Sequence, residues 1–212
     1  MQIAYKSQKY FIKEVVIMSV SRVKTYIAAD WDHDKDFIKI LKKILKEIML
    51  EENSKGKDLK KYFTDIHEKI QISDNNPYCI IKKSLDKRLK MSKVFILIVG
   101  KHTNKLKKGI CSFCKHYNKK RKTCSIGNDV DKRSYIKYEC YEAIDKELKI
   151  IVIYKNYDVD RKKCPKILRE EGTHIPAYTL TKKSTQSIKI DKNKFLNFPE
   201  IVTEIVGALY TD

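Results

Sequence analysis

The run SKVFILIVG, from Ser92 to Gly100, constrains the fold of this chain more than any other stretch. Its residues are apolar almost without interruption, and a glycine ends it. This pattern is typical of a central strand in a parallel sheet, because helices cover both faces of such a strand and leave neither in water. We therefore predict a buried central strand at this position.

Strand-like and helix-like stretches alternate along the rest of the chain. RVKTYIAAD, at residues 22–30, predicts a buried strand whose carboxyl end opens onto a pocket, and the following helix has apolar residues at i, i+3, i+4 and i+7. Further strands are predicted at 61–66, 149–154 and 187–190, and further helices at 80–90, 135–148 and from about 199. This alternation predicts an α/β fold, a flavodoxin-like doubly wound parallel sheet of about five strands with helices on both faces.

The length of 212 residues suits one such domain. We expect residues 1–21 to be a poorly ordered N-terminal extension, and residues 22–212 to form a single domain with a loop insertion at 101–134. An apolar fraction of 42% argues against a disordered chain. No apolar run has the length of a membrane span, and the short run VVIMSV does not resemble a secretory signal. A cytoplasmic protein is therefore expected.

The net charge of +19 points first to nucleic acid, because clustered Lys and Arg neutralise phosphates. Most of the basic residues, however, are lysines scattered singly along helices, where a solvated face would carry them. Nucleic acid is therefore not the expected partner. The exception is the segment 101–128, which is rich in Lys and contains no Asp or Glu. It predicts a positive patch on a long basic loop.

The same loop contains Cys111, Cys114 and Cys124, a C-x2-C pair followed by a third cysteine. This spacing suits a structural zinc knuckle if a fourth ligand exists, and His102 and His116 are candidates for it. The alternative is a set of reduced, unpaired thiols, because a stable disulfide is not expected in a cytoplasm. In either case the cysteines would brace the loop. The three cysteines elsewhere in the chain are expected to be packing residues.

Ligands of open parallel sheets bind beyond the carboxyl ends of the strands. Ala29, Asp30 and Trp31 follow the first predicted strand, and His67 follows the second. Small residues there let a ligand approach the backbone, while Trp31 could stack on a base or simply pack at the helix entry. The aspartates at the start of this helix could cap its free N–H groups or, alternatively, bind a divalent ion. His33 has no partner pattern and is expected to be structural.

Glu139 lies in the predicted helix that starts at Tyr135, next to Cys140 and one turn after Ile136. This spacing puts it at the edge of the buried face, close to the helix start and the strand ends. A carboxylate placed there is partly desolvated and can act on a bound substrate. The alternative is a solvent-facing residue like Glu142, and spacing alone favours that alternative.

From about Val23 to the C-terminus, the order of these stretches resembles a Toll/interleukin-1 receptor (TIR) domain. The stretches are a strand ending YIAAD, a strand ending FTDI, SKVFILIVGKHT, YIKYECYEAI and KIIVIY. More closely, the chain is similar to the TIR-like proteins of the bacterial Thoeris anti-phage system, a group that the CPKIL and HIPAY segments also resemble. Catalytic TIR domains carry a W-x-x-x-E pattern at the start of this helix. Tyr135 and Glu139 match it, with Tyr in place of Trp.

The resemblance implies an NAD-consuming enzyme that cleaves the nicotinamide–ribose bond and rejoins the ADP-ribose into a cyclic second messenger for anti-phage defence. Glu139 would then hold the ribose hydroxyls and stabilise the oxocarbenium-like charge as nicotinamide leaves. Tyr135 would flank the ribose or the base. The nicotinamide side of the pocket and its border would be lined by Ala29, Asp30, Trp31 and His67.

The resemblance also implies partners. NAD would be the substrate, an effector protein activated by the nucleotide product would be an indirect partner, and a homo-oligomer is a further expectation. The second hypothesis, from a different class, is a non-catalytic TIR-like interaction module whose basic loop docks an acidic partner or nucleic acid.

Overall fold

The computed structural model describes residues 24–54, 76–178 and 198–210. Its strands, in chain order, are Lys24–Ala28 (β1), Ser92–Val99 (β2), Tyr117–Asn118 (β3), Thr123–Cys124 (β4), Lys149–Tyr154 (β5) and Thr173–Pro176 (β6). Its α-helices are Trp31–Ser54 (α1), Tyr78–Lys90 (α2), Tyr135–Asp145 (α3) and Phe198–Tyr210 (α4). The described part of the chain is therefore a mixed α/β structure, the class that the sequence pattern predicts.

The predicted central strand forms as β2, and every residue of it except Lys93 is buried. It pairs in parallel with β1 on one side and with β5 on the other, and β6 pairs in parallel with β5. The four strands make one sheet in the order β1-β2-β5-β6. Burial on both faces explains why the sequence of β2 shows no apolar–polar alternation.

Helices cover both faces of this sheet. On one face, α1 and α4 pack against strand residues in a core that consists of Ile27, Ala29, Phe37, Ile38, Leu41, Leu45, Val94, Ile96, Ile98, Ile151, Ile153, Ile175, Ala177, Ile201 and Ile205. On the other face, α2 and α3 pack against Tyr26, Ala28, Phe95, Leu97, Val99, Val152 and Tyr154. Neighbouring residues of each strand thus enter different cores, because side chains alternate across a strand.

The insertion, residues 101–134, is more structured than an aperiodic loop. It contains short 3-10 turns at Thr103–Lys105 and Cys111–Phe113 and a two-stranded hairpin formed by β3 and β4. The backbone N–H of Cys111 donates to the carbonyl of Asp131 over 3.1 Å, which closes the insertion on itself. The sequence lacks a periodic signal here because these elements are too short to show one.

Several sequence predictions lie outside the described residues. They concern the N-terminal extension at 1–21, the strand at 61–66 with His67, and the strand at 187–190. Within the described ranges, no helix combines the length and the hydropathy that crossing a bilayer requires.

Two glycines with the same backbone conformation provide a test of the packing at the start of β6. Gly172 and Gly127 both have φ +75°. A Cβ on Gly172 would lie 2.3 Å from the carbonyl oxygen of Ile150 and 2.7 Å from its Cβ, whereas a Cβ on Gly127 would meet no described atom within 4 Å. An alanine at either position would be strained by the positive φ, and an alanine at position 172 would also clash with Ile150.

We expect Gly172→Ala to lower the free energy of unfolding by about 3 kcal/mol or more, because the sheet must shift to admit the methyl group. Gly127→Ala should cost only about 1 kcal/mol, the strain of a left-handed backbone alone. Urea denaturation followed by circular dichroism measures both. Equal losses in the two variants would contradict the packing described for Gly172.

Candidate active site

The start of α3 fixes the position of Glu139. The side chain of Ser134 accepts a hydrogen bond from the backbone N–H of Lys137 over 3.4 Å, and its carbonyl accepts one from Tyr138 over 2.8 Å. Ser134 is thus an N-cap residue that satisfies N–H groups of the first turn. The N–H of Tyr135 donates to the carbonyl of Lys108 over 2.9 Å. The helix start is therefore tied to the insertion.

Glu139 is buried, with 6% of the residue exposed. Ile136 and Cys140, its neighbours on α3, belong to the core between α2, α3 and the sheet. The phenol hydroxyl of Tyr26, in the middle of β1, donates a hydrogen bond to Oε1 of Glu139. The sequence predicts that Glu139 lies at the edge of the buried face, which understates its burial. The alternative, a Glu139 that faces solvent, is wrong.

This environment changes the acidity of Glu139. Burial raises the pKa of its carboxyl group to about 7, while the hydrogen bond from Tyr26 and the charge of Arg88 on α2 act in the opposite direction. Arg88 is itself buried, with 4% exposed. Near neutral pH the carboxyl group therefore populates both its protonated and its ionised form. A group poised in this way can serve as a general acid or base, or as a charge stabiliser.

Glu142, one turn further along α3, has a different environment. Its carboxylate forms ion pairs with Lys146 and with Arg133, the latter over 3.6 Å, and 19% of its side chain is exposed. Lys146 also contacts Asp86 of α2 over 2.8 Å. The expectation that Glu142 faces solvent is therefore wrong. Glu142 belongs to an ion-pair network that joins α3 to α2.

Tyr135 lies between the insertion and the start of α2. Its ring makes an edge-to-face contact with Tyr78, with 5.7 Å between the ring centroids. Gly109, with φ +96°, lies directly against this ring, since a Cβ there would be 2.5 Å from Cδ1 of Tyr135. Only glycine fits both the backbone conformation and the close approach. The half-buried Tyr135 ring is thus held on two sides.

A second polar group lies at the carboxyl edge of the sheet, where β1, β2 and β5 end. Asp30 follows β1 and is buried, and its Oδ2 lies 2.8 Å from Nδ1 of His33. The His33 ring lies 4.9 Å from the ring of His102, which follows β2. His33 is therefore not an isolated structural residue, and His102 packs here with His33. The sequence signal for both is a position shortly after a strand end.

Asp34 and Lys155 connect the other strand ends of the carboxyl edge. Lys155, which follows β5, donates to Oδ1 of Asp34 over 2.8 Å and to the carbonyl of His33 over 3.1 Å. The Asp34 carboxylate packs on Gly100, because a Cβ there would lie 2.7 Å from both carboxylate oxygens. This close approach explains why a glycine ends the apolar run of β2.

The remaining predicted substrate-binding residues lie in different surroundings. Ala29 packs in the core under α1 and α4, on the sheet face opposite to the one that carries Tyr26. Trp31 begins α1 and is 38% exposed, and the ammonium group of Lys42 lies 5.1 Å from its ring centroid. His67 lies outside the described residues. Of the predicted site residues, Glu139 thus has a hydrogen bond with Tyr26, and Asp30 has a close polar contact with His33.

Sequence reasoning missed the hydrogen-bond donor of Glu139. Tyr26 was available as a signal, because it alternates with Ala28 on one face of a strand that ends at the expected pocket. Arg88 had no comparable signal, since its place among buried residues depends on how α2 packs. Its burial became evident only with the tertiary structure.

The three cysteines of the predicted zinc knuckle lie in the insertion. Cys111 begins a 3-10 turn, and the N–H of Cys114 donates to the carbonyl of Cys111 over 3.0 Å. Cys124 lies on β4 opposite Tyr117 of β3. All three have free thiols. Across the part of the chain that the structure describes, no group of three or more His, Cys, Asp or Glu side chains is arranged to hold a metal ion.

Comparison with known proteins gives no family assignment. No protein-family model matches this chain, and no curated protein matches it at a significant level.

The raised pKa of Glu139 predicts a pH-dependent difference between the parent protein and Glu139→Gln. The native state holds the carboxyl proton more tightly than the unfolded chain, for which the ordinary value is 4.5. The resulting stabilisation is fully present below about pH 4.5 and is lost as the pH rises through about 7. A glutamine at this position stays neutral over the whole pH range, so the variant shows no such loss of stability as the pH rises.

We therefore expect the stability of Glu139→Gln, relative to the parent, to increase by roughly 3 kcal/mol between pH 4.5 and 7.5, since each tenfold change in a protonation equilibrium corresponds to about 1.4 kcal/mol. Urea denaturation at several pH values measures this difference. Glu142→Gln is the matched control on the same helix and should not gain stability over this range. A pH-independent difference for Glu139→Gln would contradict a buried, neutralised carboxyl group.

Proposed function

We propose that this protein is a TIR-like, NAD-consuming enzyme that cleaves the nicotinamide–ribose bond and forms a cyclic ADP-ribose-type second messenger in bacterial anti-phage defence. The observation that carries the proposal is the buried carboxyl group of Glu139, which accepts a hydrogen bond from Tyr26 and has a pKa of about 7. It follows Tyr135 by four residues at the start of α3, in the aromatic-x-x-x-Glu spacing of catalytic TIR domains.

The fold is compatible with this assignment. The parallel order β1-β2-β5-β6, with helices on both faces, agrees with a flavodoxin-like TIR sheet if the predicted strand at 61–66 is the fifth strand. The insertion would then be an addition between β2 and α3 that ordinary TIR domains lack. The cytoplasm is the proposed compartment, because NAD and an effector protein that responds to the product would both be available there.

The proposed reaction breaks the bond between C1′ of the ribose and the pyridinium nitrogen of NAD. The electron pair of that bond leaves with nicotinamide, so positive charge develops on the ribose. An ionised Glu139 would stabilise that charge and accept hydrogen bonds from the ribose hydroxyls. An oxygen or nitrogen nucleophile of the same ADP-ribose would then attack C1′ and lose its proton, which closes the ring.

The pKa of Glu139 fits this role. A carboxyl group that is partly protonated in the free enzyme loses its proton more readily when a cation binds nearby, because the opposite charge favours the ionised form. The positively charged nicotinamide ring of NAD is such a cation. Tyr26 would keep the carboxylate in place through its hydrogen bond. Binding of the substrate would thus produce the charge that the reaction needs.

Other residues would shape the pocket. Tyr135 would flank the ribose or the base, and its ring is already fixed by Tyr78 and by the backbone at Gly109. The nicotinamide side would be formed by residues at the start of α1 and beyond the predicted second strand, namely Asp30, Trp31 and His67, while Ala29 would only pack in the core beneath them. A homo-oligomer is part of the proposal, because assembly could complete a pocket of this kind.

The decisive measurement compares Glu139→Gln with Glu142→Gln. Each purified variant is incubated with NAD, with and without lysate from phage-infected cells, and nicotinamide and cyclic ADP-ribose species are quantified by liquid chromatography and mass spectrometry. We expect Glu139→Gln to lose activity by about 100-fold or more, because charge stabilisation in the transition state is removed. Glu142→Gln should keep most of it.

Circular dichroism shows whether each variant is folded. A folded Glu139→Gln that releases nicotinamide as fast as the parent would refute the assignment. Equal losses in both folded variants would also refute it, because the ion-pair network rather than the buried carboxyl group would then be the cause.

The exposed basic tip of the insertion favours a second candidate, a non-catalytic TIR-like module that docks an acidic partner or nucleic acid. Residues 119–122, Lys-Lys-Arg-Lys, lie between β3 and β4, and all four are exposed. Phe113, in the adjacent turn, is 64% exposed. Exposed cations and an exposed ring on the same insertion would provide both electrostatic attraction and an apolar contact for an acidic surface or an unstacked base.

Replacing residues 119–122 with Gln tests this candidate. Binding to single-stranded DNA and to poly-glutamate is measured by fluorescence anisotropy over a range of salt concentrations. If the tip docks such partners, this variant should bind at least about 10-fold more weakly and with a smaller salt dependence. The control variant replaces Lys35, Lys39, Lys43 and Lys46 of α1 with Gln and should change little. If both variants bind equally more weakly than the parent, the binding is a non-specific attraction to the net charge, and the basic tip is not a docking site.

A further inference from the structure

The connections that follow β1 and β2 leave the sheet in opposite directions. The chain goes from β1 to α1, which covers one face of the sheet, and from β2 through the insertion to α3, which covers the other face. In open α/β sheets, ligands bind beyond the carboxyl ends of two neighbouring strands that are related in this way, at the switch point. Asp30 and His33 lie on the β1 side of this switch point, and His102 lies on the β2 side.

The imidazole of His33 is held by a buried carboxylate at the switch point. Its Nδ1 lies 2.8 Å from Oδ2 of Asp30, whose side chain is 4% exposed, whereas 59% of the His33 side chain is exposed. A carboxylate only accepts hydrogen bonds, so Nδ1 carries the ring proton and the lone pair is on Nε2. Within the described part of the chain, Nε2 forms no hydrogen bond. This nitrogen is therefore available as a proton acceptor.

Three further contacts limit the movement of His33. The ring of His102 lies 4.9 Å from the ring of His33. The backbone N–H of His33 donates to the carbonyl of Asp30 over 3.1 Å, and the carbonyl of His33 accepts a hydrogen bond from Lys155 over 3.1 Å. Because the ring and the backbone are both held, Nε2 has a fixed position relative to three strand ends. Such preorganisation lowers the entropy cost of a reaction with a bound substrate.

We propose that His33 is the general base of the ring closure and that Asp30 is its positioning residue. This inference rests on the proposed function, which supplies the reaction. The bond between C1′ and the pyridinium nitrogen breaks, and its electron pair leaves with nicotinamide. The nucleophile of the ADP-ribose then gives an electron pair to C1′, and its proton moves to Nε2 of His33. Asp30 stabilises the imidazolium through Nδ1 until the proton passes to water.

Glu139 and His33 have separate tasks in this reaction. Glu139 must remain ionised while positive charge is present on the ribose, and a carboxylate that accepted the proton of the nucleophile would lose that charge. A second group is therefore needed to accept the proton. Both groups are connected to β1, because Tyr26 in this strand donates to Glu139 and Asp30 lies two residues beyond its end.

The kinetics of His33→Ala test this role. The purified full-length protein is incubated with NAD and lysate from phage-infected cells, and nicotinamide, cyclic ADP-ribose species and linear ADP-ribose are quantified separately. We expect the variant to form cyclic product at least about 100-fold more slowly, which is the ordinary contribution of a general base. Free imidazole should restore this rate at least about 10-fold, because it can occupy the space of the lost ring and accept the proton.

His116→Ala is the matched control for these kinetics. His116 lies in the hairpin, where its carbonyl accepts the N–H of Ser125 over 2.8 Å, and it has no part in the switch point. This variant should form cyclic product at the parent's rate and should not respond to imidazole.

Nitrogen NMR of protein with labelled histidines gives a readout that does not depend on NAD. In mildly alkaline buffer, where an imidazole is neutral, the ring proton of His33 should be on Nδ1 in the parent. Asp30→Asn should move a measurable fraction of this proton to Nε2, because an amide can donate to Nδ1 where a carboxylate cannot. The His33 signals are identified by their loss in His33→Ala, and the His116 signals should not change.

Three results would overturn the role of His33. They are a folded His33→Ala that forms cyclic product at the parent's rate, a loss in this variant that imidazole does not restore, and a parent ring protonated on Nε2 alone. In all three cases, nicotinamide release by the parent leaves the proposed function standing. A parent protein that releases no nicotinamide with the infected lysate instead refutes the proposed function, and the catalytic role of His33 with it.

Discussion

The parallel pairing of β2 with β1 on one side and β5 on the other is the constraint on which the rest of the structure depends. A strand paired on both edges and covered on both faces has no contact with water, so its side chains can all be apolar. Parallel strands must be joined by crossovers that return to the opposite end of the sheet. The chain between β2 and β5 is such a crossover, and it holds both the insertion and α3. The position of Glu139 therefore follows from the topology.

The contrast between Glu139 and Glu142 shows what distinguishes a candidate catalytic carboxyl group from a structural one. Glu142 has two cationic partners and retains some solvent exposure, which is a common arrangement for an ion pair between helices. Glu139 is buried against a phenol, and the charge of Arg88 also favours its ionised form. A helix residue with only a packing role at this position would be more stable as an apolar residue, because a buried carboxyl group must be protonated or desolvated. Burial of this carboxyl group therefore costs stability, and this cost is the reason why the proposed function assigns Glu139 a chemical role.

The sequence was informative where long elements meet a continuous core, and much less so for contacts between elements. The central strand, α1 and α3 were predictable because apolar runs and helical periodicity report burial directly. The sequence placed Glu139 too close to solvent. The Tyr26 hydroxyl that donates a hydrogen bond to its carboxyl group comes from a strand more than 100 residues earlier, and helix periodicity does not report such a contact. The pairing of His33 with His102 was missed for the same reason. Each residue is unremarkable alone, and the sheet register brings them together.

The insertion and the candidate active site are mechanically connected, and this connection bears on how the protein could be controlled. The carbonyl of Lys108 accepts the first N–H of α3, and Gly109 lies against the ring of Tyr135. At its other end the insertion is held to α2 through Lys82 and Asp131. A force or a ligand that moves the insertion must therefore act on the aromatic residue one turn before Glu139. The insertion also carries the exposed basic tip, so these contacts of Lys108 and Gly109 with Tyr135 join that tip to the start of α3.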